Sequence, residues 1–290
     1  VGGADRLAFA LIYLPWIAGS FVPDTNVAAP ARFSDALHFS GVTFFTIGFG
    51  DIVPSGRAMR LIAVAQGGAG FAFITLVISY FTSLYGAYSL QRTAAASLQF
   101  QLGPGVDASR FIGHHLADSG TSVLAAEVAR LRGDLAGIRD RYLMYPTLHY
   151  FISSTPEMSL ARMVFVAQEI GLLLDTAVDR GRAPGVAGLG TRAGLRPAAA
   201  AVQSGMVEAL LRPEIRMRVA GASALQSDDV TQAGWRTRFR AACDTLALHG
   251  IPVDRSGEEN YCRERGAWEP GLRAAAEALG ESWDGLTNGR

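Results

Sequence analysis

The sequence predicts an all-α protein in two parts, a membrane-embedded helical module over residues 1–92 and an all-helical aqueous domain over residues 93–290. Three observations predict it. Residues 61–91 contain no Asp, Glu, Arg, Lys or His, and a helix of that length, rising about 1.5 Å per residue, outruns the roughly 30 Å hydrocarbon core of a bilayer. Charge is unevenly placed: residues 1–90 hold eight charged side chains, and the other 44 fall in the 200 residues that follow. Residues 92–290 show helical spacing throughout and no run of alternating β-branched residues.

Composition narrows the function classes. The chain has 26 basic residues, all of them Arg, against 26 acidic ones, for a formal net charge of zero. Neither part carries a net charge, which excludes a strongly basic nucleic-acid binder. Cys243 and Cys262 are too few for a disulfide framework or a four-ligand zinc site, and read as thiols of a reducing compartment.

The first apolar stretch, residues 7–22, has 16 residues, includes Pro15 and falls short of the ~20 residues a spanning helix needs. It is expected to be the first, outer membrane helix, with a processed signal peptide as the alternative. Ser34 or Asp35 is placed to cap a short helix over residues 36–45. A glycine-punctuated run follows, Thr46-Ile47-Gly48-Phe49-Gly50-Asp51. Non-helical backbone at membrane depth is tolerated only where protein buries it or where it lines a watery cavity, and a short helix with an extended return meets that condition as a pore loop. The charge-free span over residues 61–91 comes next, flanked by Arg57, Arg60 and Arg92, which leave its orientation open. It carries Gly67, Gly68 and Gly70 within four positions, then Ile74, Ile78 and Thr82 at four-residue spacing on one face.

This string resembles the Thr-Val-Gly-Tyr-Gly-Asp filter signature of potassium channels, with Ile for Val and Phe for Tyr. The order of outer helix, pore helix, filter and inner helix matches that pore module too, over residues 7–92. The resemblance implies that backbone carbonyls of Thr46, Ile47, Gly48 and Phe49, with the Thr46 hydroxyl, replace the hydration shell of K+. Gly48 and Gly50 would supply the positive φ that aims successive carbonyls one way. Ile47 and Phe49 would turn outward, and Asp51 would stand at the extracellular mouth. Gly70 falls where the gating hinge is expected, leaving Gly67 and Gly68 to pack against the pore helix. Ile74, Ile78 and Thr82 would line the cavity and inner gate. Two departures affect filter support: Val42 stands where many bacterial relatives place a Glu, and His38 with Phe39 where a Trp pair often stands. His38 is then either a donor to Asp51 or a packed imidazole. One loop supplies a quarter of each oxygen ring, so the expected assembly is a homotetramer. Its other partners would be membrane lipid and an unknown cytoplasmic ligand or protein, with no nucleic acid. No cofactor is expected, K+ being the permeant ion. The implied setting is the plasma membrane, with residues 92–290 cytoplasmic.

Beyond the pore module, Leu124, Val128, Leu131, Leu135, Ile138 and Tyr142 recur at 4-3-4-3-4 spacing, as in a coiled coil or a core-facing helix. Thr155-Pro156 reads as an N-cap with Pro at the first helical position. The helix after it, residues 158–178, is apolar nearly all round but carries Arg162, Glu169 and Asp175, which marks a buried core helix. A Gly-rich loop is expected over residues 181–197, then helices over 198–211, 214–220, 227–248 and 264–279. The glycines at 188, 190 and 194 lack the spacing of a dinucleotide fingerprint. His114-His115 lacks a third ligand at metal spacing, and Arg236, Arg238 and Arg240 read as a solvated face, with contact to anionic lipid as the lesser reading. With no nucleophile–base set, metal motif or phosphate loop, the chain is expected not to be an enzyme. The sequence supports a potassium-selective channel, with a weakly selective cation channel and a membrane-anchored helical scaffold as rivals.

Overall fold

A computed structural model describes residues 2–23, 32–103, 107–117, 120–151, 155–186, 189–191, 194–209, 217, 221 and 229–288. The chain divides into two compact units, Val1–Ser83 and Leu84–Arg290. Helices dominate both, as the residue spacing predicts, and the strands among the described residues are two three-residue segments.

The first unit opens with α1, Gly2–Tyr13, shorter than the helix expected over residues 7–22. Pro15 explains the difference: it has no N–H to donate and disfavours helical backbone at Leu14. Residues 14–20 turn instead, with Trp16 N–H and Ser20 N–H donating to the carbonyls of Tyr13 and Trp16. The chain then enters β1, Phe21–Pro23. The apolar residues beyond Pro15 still face inward, and Ile17 and Phe21 are buried with Tyr13, Phe39, Ile52 and Met59. At 12 residues, α1 rises roughly 18 Å.

Helix α2 runs from Phe33 to Phe44, three residues earlier than expected. Arg32, not Ser34 or Asp35, is the N-cap residue. Asp35 sits in the first turn and its carboxylate accepts the Arg32 backbone N–H at 3.0 Å. After the filter segment, β2, Ile52–Pro54, pairs antiparallel with β1, Val22 opposite Val53. This ribbon ties the chain before the pore loop to the chain after it.

Helix α3, Arg57–Leu102, is 46 residues long and rises roughly 70 Å. It is the one helix among the described residues long and apolar enough to cross a membrane. It outruns the expected span of residues 61–91 because nothing at Arg92 interrupts it. It stops at Gly103, whose φ of +68° is left-handed.

The second unit is built around α6, Leu160–Thr176, every residue of which is buried. Around it stand α4 (Ala108–Ala117), α7 (Leu195–Ala209), α8 (Asp229–Leu248), α9 (Glu258–Ala278) and α10 (Trp283–Asn288), with α5 (Thr121–Met144) against α7 and α4. The stripe on α5 faces the core of its own chain, with Leu124, Val128, Leu131, Leu135 and Ile138 buried, so it is not a seam between subunits. Thr155 precedes only a 3-10 turn, Pro156–Met158, and its side chain makes no capping bond to that turn. The cap of α6 is Ser159, whose hydroxyl accepts the N–H groups of Ala161 and Arg162. The helix expected over 214–220 lies outside the described residues, apart from Met217.

Burying α6 requires partners for its charges. Glu169 accepts the Tyr261 hydroxyl at 2.6 Å and Arg265 Nη1 at 2.5 Å, with Arg238 Nε at 3.4 Å. Burial works against the Arg265 charge, yet Glu169, Tyr261 and Glu269 around it hold it protonated above its usual range. Burial, then the nearby Glu169, pushes the Tyr261 phenol well up. The Arg236, Arg238 and Arg240 set divides: Arg236 and Arg240 are exposed, as a solvated face requires, whereas Arg238 is half-buried. Arg238 meets Glu169, and Arg240 clasps Glu258 through two bonds of 2.7 and 2.8 Å. Gly190 is no flexible-loop residue either, because a Cβ there would meet Gly171 O at 2.1 Å. The residues at 187, 188, 192 and 193 lie outside the described set.

Candidate functional site

The site grows out of the C-terminal end of α2. Three carbonyls of its last turn hold the start of the loop: Phe45 N–H donates to Gly41 O at 3.0 Å, Thr46 N–H to Thr43 O at 3.1 Å and Ile47 N–H to Val42 O at 2.9 Å. The helix therefore ends directly against the loop, and its C-terminus carries roughly half an elementary negative charge. That end favours a nearby cation.

Beyond Phe45 the backbone alternates in hand. Thr46, Gly48 and Gly50 have φ of +58°, +63° and +79°, while Ile47 and Phe49 between them are not left-handed. Positive φ was expected at the two glycines. Thr46 adds a third position that its residue type does not advertise, since a β-branched side chain resists the left-handed region. Its hydroxyl donates to Phe45 O at 2.7 Å. Residues Phe45 to Gly50 are all exposed in the single chain, Ile47 by 53% and Phe49 by 68%.

At the far end of the loop, His38 Nε2 lies 2.7 Å from Asp51 Oδ2, and the His38 ring stacks on Phe49 at 6.2 Å and 5°. One side chain of α2 thus touches two residues of the loop. Val42, one turn further along, offers no polar atom to Asp51, and its backbone carbonyl supports Ile47 instead. Phe39 turns away from the loop into the core, edge-on to Tyr13 and Phe21 at 5.0 and 4.9 Å.

A polar chain locks the helices behind this loop, and sequence spacing does not reveal it. The Tyr13 hydroxyl donates to Gln66 Oε1 at 2.8 Å, and Gln66 Nε2 donates to Ser40 O at 3.0 Å and Ser40 Oγ at 2.7 Å. Ser40 Oγ in turn donates to Arg6 O at 2.9 Å. One amide on α3 thereby joins α1 and α2. The only signal in the sequence is the side chain itself, an amide near the start of a charge-free span, where a polar group needs a protein partner.

Gly70, where a hinge is expected, is also a point of close packing. A Cβ at Gly70 would lie 1.8 Å from Phe44 O and 2.7 Å from Phe44 C, so α3 crosses the end of α2 with its backbone at this glycine. Gly67 makes only an ordinary contact with Thr43 O, and Gly68 faces open space. The packing role belongs to Gly70, and α3 continues through it without a break. Ile74 is half-buried, whereas Ile78 and Thr82 are exposed in the single chain. The Thr82 hydroxyl donates back to Ile78 O at 2.9 Å.

Among the described residues the helical unit offers no comparable constellation. It holds an apolar cavity of about 270 Å³ beside Tyr142, Leu160, Val202 and Met206. A polar cavity of about 280 Å³ lies beside Asp107, Ser109, Glu169 and Arg238.

A short pore-type helix, a loop of alternating hand and a long apolar helix crossing behind it define an ion-channel module. Residues 7–86 match a family described as Ion channel. Among curated relatives, the uncharacterized membrane protein YdjJ of Bacillus subtilis is 27% identical over 151 residues, which are 50% of this chain and 42% of that one. LctB of Geobacillus stearothermophilus is 34% identical over 83 residues, 27% of this chain and 61% of its own length. Two pore potassium channel c of Oryza sativa subsp. japonica is 33% identical over 73 residues, 25% of this chain and 16% of that one. The matches thus span less than two thirds of each of these relatives. No solved structure matches the chain. The chain therefore joins a segment similar to ion channels, residues 7–86, to a helical unit.

Proposed function

We propose that this chain is a subunit of a homotetrameric, potassium-selective channel of the plasma membrane, with Thr46 to Gly50 as its filter and residues 92–290 on the cytoplasmic side. The observation that carries the reading is the alternation of hand at Thr46, Gly48 and Gly50. Successive carbonyls of an ordinary strand point to opposite sides. Alternating left- and right-handed residues swings them to one side, where they can take the place of water around a cation. Four such rows are needed to surround an ion, and the exposure of residues 45–50 in one chain leaves that face for sister subunits. Asp51, oriented by His38, concentrates cations at the mouth. Ile74, Ile78 and Thr82 line the cavity below the filter and the inner gate. The chain acts on K+ as a permeant ion, without a cofactor and without catalysis, and the helical domain biases the gate.

Purified protein in liposomes with an imposed potassium gradient tests this. The expected result is a potassium flux blocked by barium, with a reversal potential that follows potassium and not sodium. Equal permeation of the two ions assigns the chain to the weakly selective cation channels, a reading favoured by Val42 leaving His38 as the one α2 side chain on Asp51. No flux from a well-folded tetramer overturns the proposal.

A further inference from the structure

Arg162 is the least compensated charge in the core of the helical unit. It sits in the first turn of α6 with its side chain buried, the residue being 3% exposed. Among the described residues no carboxylate lies within ion-pair distance of it, in contrast to Arg265, which meets both Glu169 and Glu269. Its Nη2 donates to Gln99 Oε1 at 2.8 Å, and its Nη1 has no hydrogen-bond partner among the described residues. Burial lowers the tendency of this guanidinium to stay protonated, with the more distant Glu157 acting the other way. A buried charge on these terms costs stability, and a methionine of similar length would fill the space without that cost.

What Arg162 holds explains its position. Gln99 belongs to the last turn of α3, and its other amide atom, Nε2, donates to Gly103 O at 3.1 Å. Gly103 N–H donates back to Gln99 O at 3.1 Å, and Gly103 is the left-handed residue that ends the helix. The guanidinium therefore reaches the helix terminus through a single amide, at the end where α3 presents the negative pole of its dipole. A second bond fixes the same helix two turns earlier, where the buried Gln91 accepts the Tyr142 hydroxyl at 2.5 Å. Leu98 and Leu102 between and beyond them are buried in the same core.

We propose that Arg162 is a positioning residue for gating, which latches the C-terminal end of the pore-lining helix to the helical domain through Gln99 and the Gly103 cap. The inference rests on the channel reading above for its consequence, though not for the latch itself. A shift of α6 moves Arg162, Arg162 moves the end of α3, and α3 is one unbroken helix from Arg57 onward. The charge is retained at a cost to the domain because a long apolar residue could fill the space but could not pull.

The test uses the full chain in liposomes with Arg162→Met, Arg162→Lys and Gln99→Ala. Three quantities are read: the unfolding temperature, amide exchange over residues 96–103, and potassium flux. Arg162→Met is expected to leave the unfolding temperature unchanged or raise it. It should speed exchange over residues 96–103 by about tenfold, the loss of one charge-assisted hydrogen bond. Flux should change in the same variant. Arg162→Lys, which keeps a charge and a donor, should restore part of the protection and of the flux. Gln99→Ala should give the same faster exchange and altered flux as Arg162→Met, with no further change in either in the double variant, while its unfolding temperature falls because the buried guanidinium is left unpaired. A lowered unfolding temperature in Arg162→Met with exchange raised evenly across the domain would make Arg162 an ordinary core residue and overturn the proposal. Unchanged exchange over residues 96–103 would overturn it as well. A wild-type protein that carries no flux defeats the channel reading, and the exchange measurement still decides the latch.

Discussion

Thr46 and Gly48 hold the same backbone hand on unequal terms. Both have φ near +60°, which costs a residue with a Cβ about 1–2 kcal/mol and costs glycine almost nothing. The strain at Thr46 is sustained by its neighbours, since its N–H is tied to Thr43 O and its hydroxyl to Phe45 O. Gly48 has no such ties, and a Cβ there would meet nothing within 4 Å. Gly48→Ala is thus a substitution whose whole effect within one chain is conformational. It should cost about 1–2 kcal/mol per subunit and turn the carbonyls beside it out of line. The measurement is potassium flux per correctly assembled tetramer, expected to fall to background while yield holds. Normal selective flux in that variant would show that Gly48 lies outside the ion path. The two glycines were legible in the sequence because their freedom has few other uses at alternate positions. Thr46 was not, because threonine in that conformation is unfavourable by itself and is explained only by the helix end that grips it.

Helices place these residues, and here spacing and contact disagree in an instructive way. Counting from the filter puts a hinge at Gly70, yet the packing of α3 on α2 gives Gly70 a steric task. Its partner, the Phe44 carbonyl, is 26 residues away, and no periodicity in α3 encodes the end of another helix. The same is true of Gln66, whose bonds to Tyr13 and Ser40 join three helices that sequence spacing treats separately. Gly70→Ala would place its methyl 1.8 Å from Phe44 O, against backbone rather than a flexible side chain. Either α3 or the end of α2 must move, at about 1–3 kcal/mol, and the displaced carbonyls are those next to the start of the filter. Thermal stability and ion selectivity of Gly70→Ala should therefore fall together. Gly68→Ala, facing open space, should leave both near wild type. A stable Gly70→Ala protein changed only in open probability would return the residue to a hinge.

At the scale of the whole molecule, a division into two parts was legible, because charge separates them. The charge-free run ends at Gln91, yet the compact units divide between Ser83 and Leu84. The discrepancy has a physical cause: residues that face lipid and residues that face a protein core are both apolar. Leu84, Ala87, Ala94 and Leu98 of α3 are buried within the second unit, where Leu84 and Ala87 pack with Leu148 and Ala94 and Leu98 join the main core. Hydropathy alone cannot tell that burial from a continued span. Two truncations that differ only in this stretch should therefore behave differently. Ending the chain after Ser83 removes the second unit at its boundary and leaves none of these residues behind. Ending it after Gln99 strips the core from Leu84, Ala87, Ala94 and Leu98 while keeping them on the helix, an apolar stripe with no protein over it. Both proteins retain residues 46–51 and should show the same preference for potassium over sodium wherever they conduct. The longer one should aggregate more on extraction and give fewer monodisperse tetramers by size-exclusion chromatography, despite having more of the native chain. If it is instead the better behaved of the two, the end of α3 associates with its sister copies strongly enough to cover that stripe, and the helical domain is dispensable for assembly.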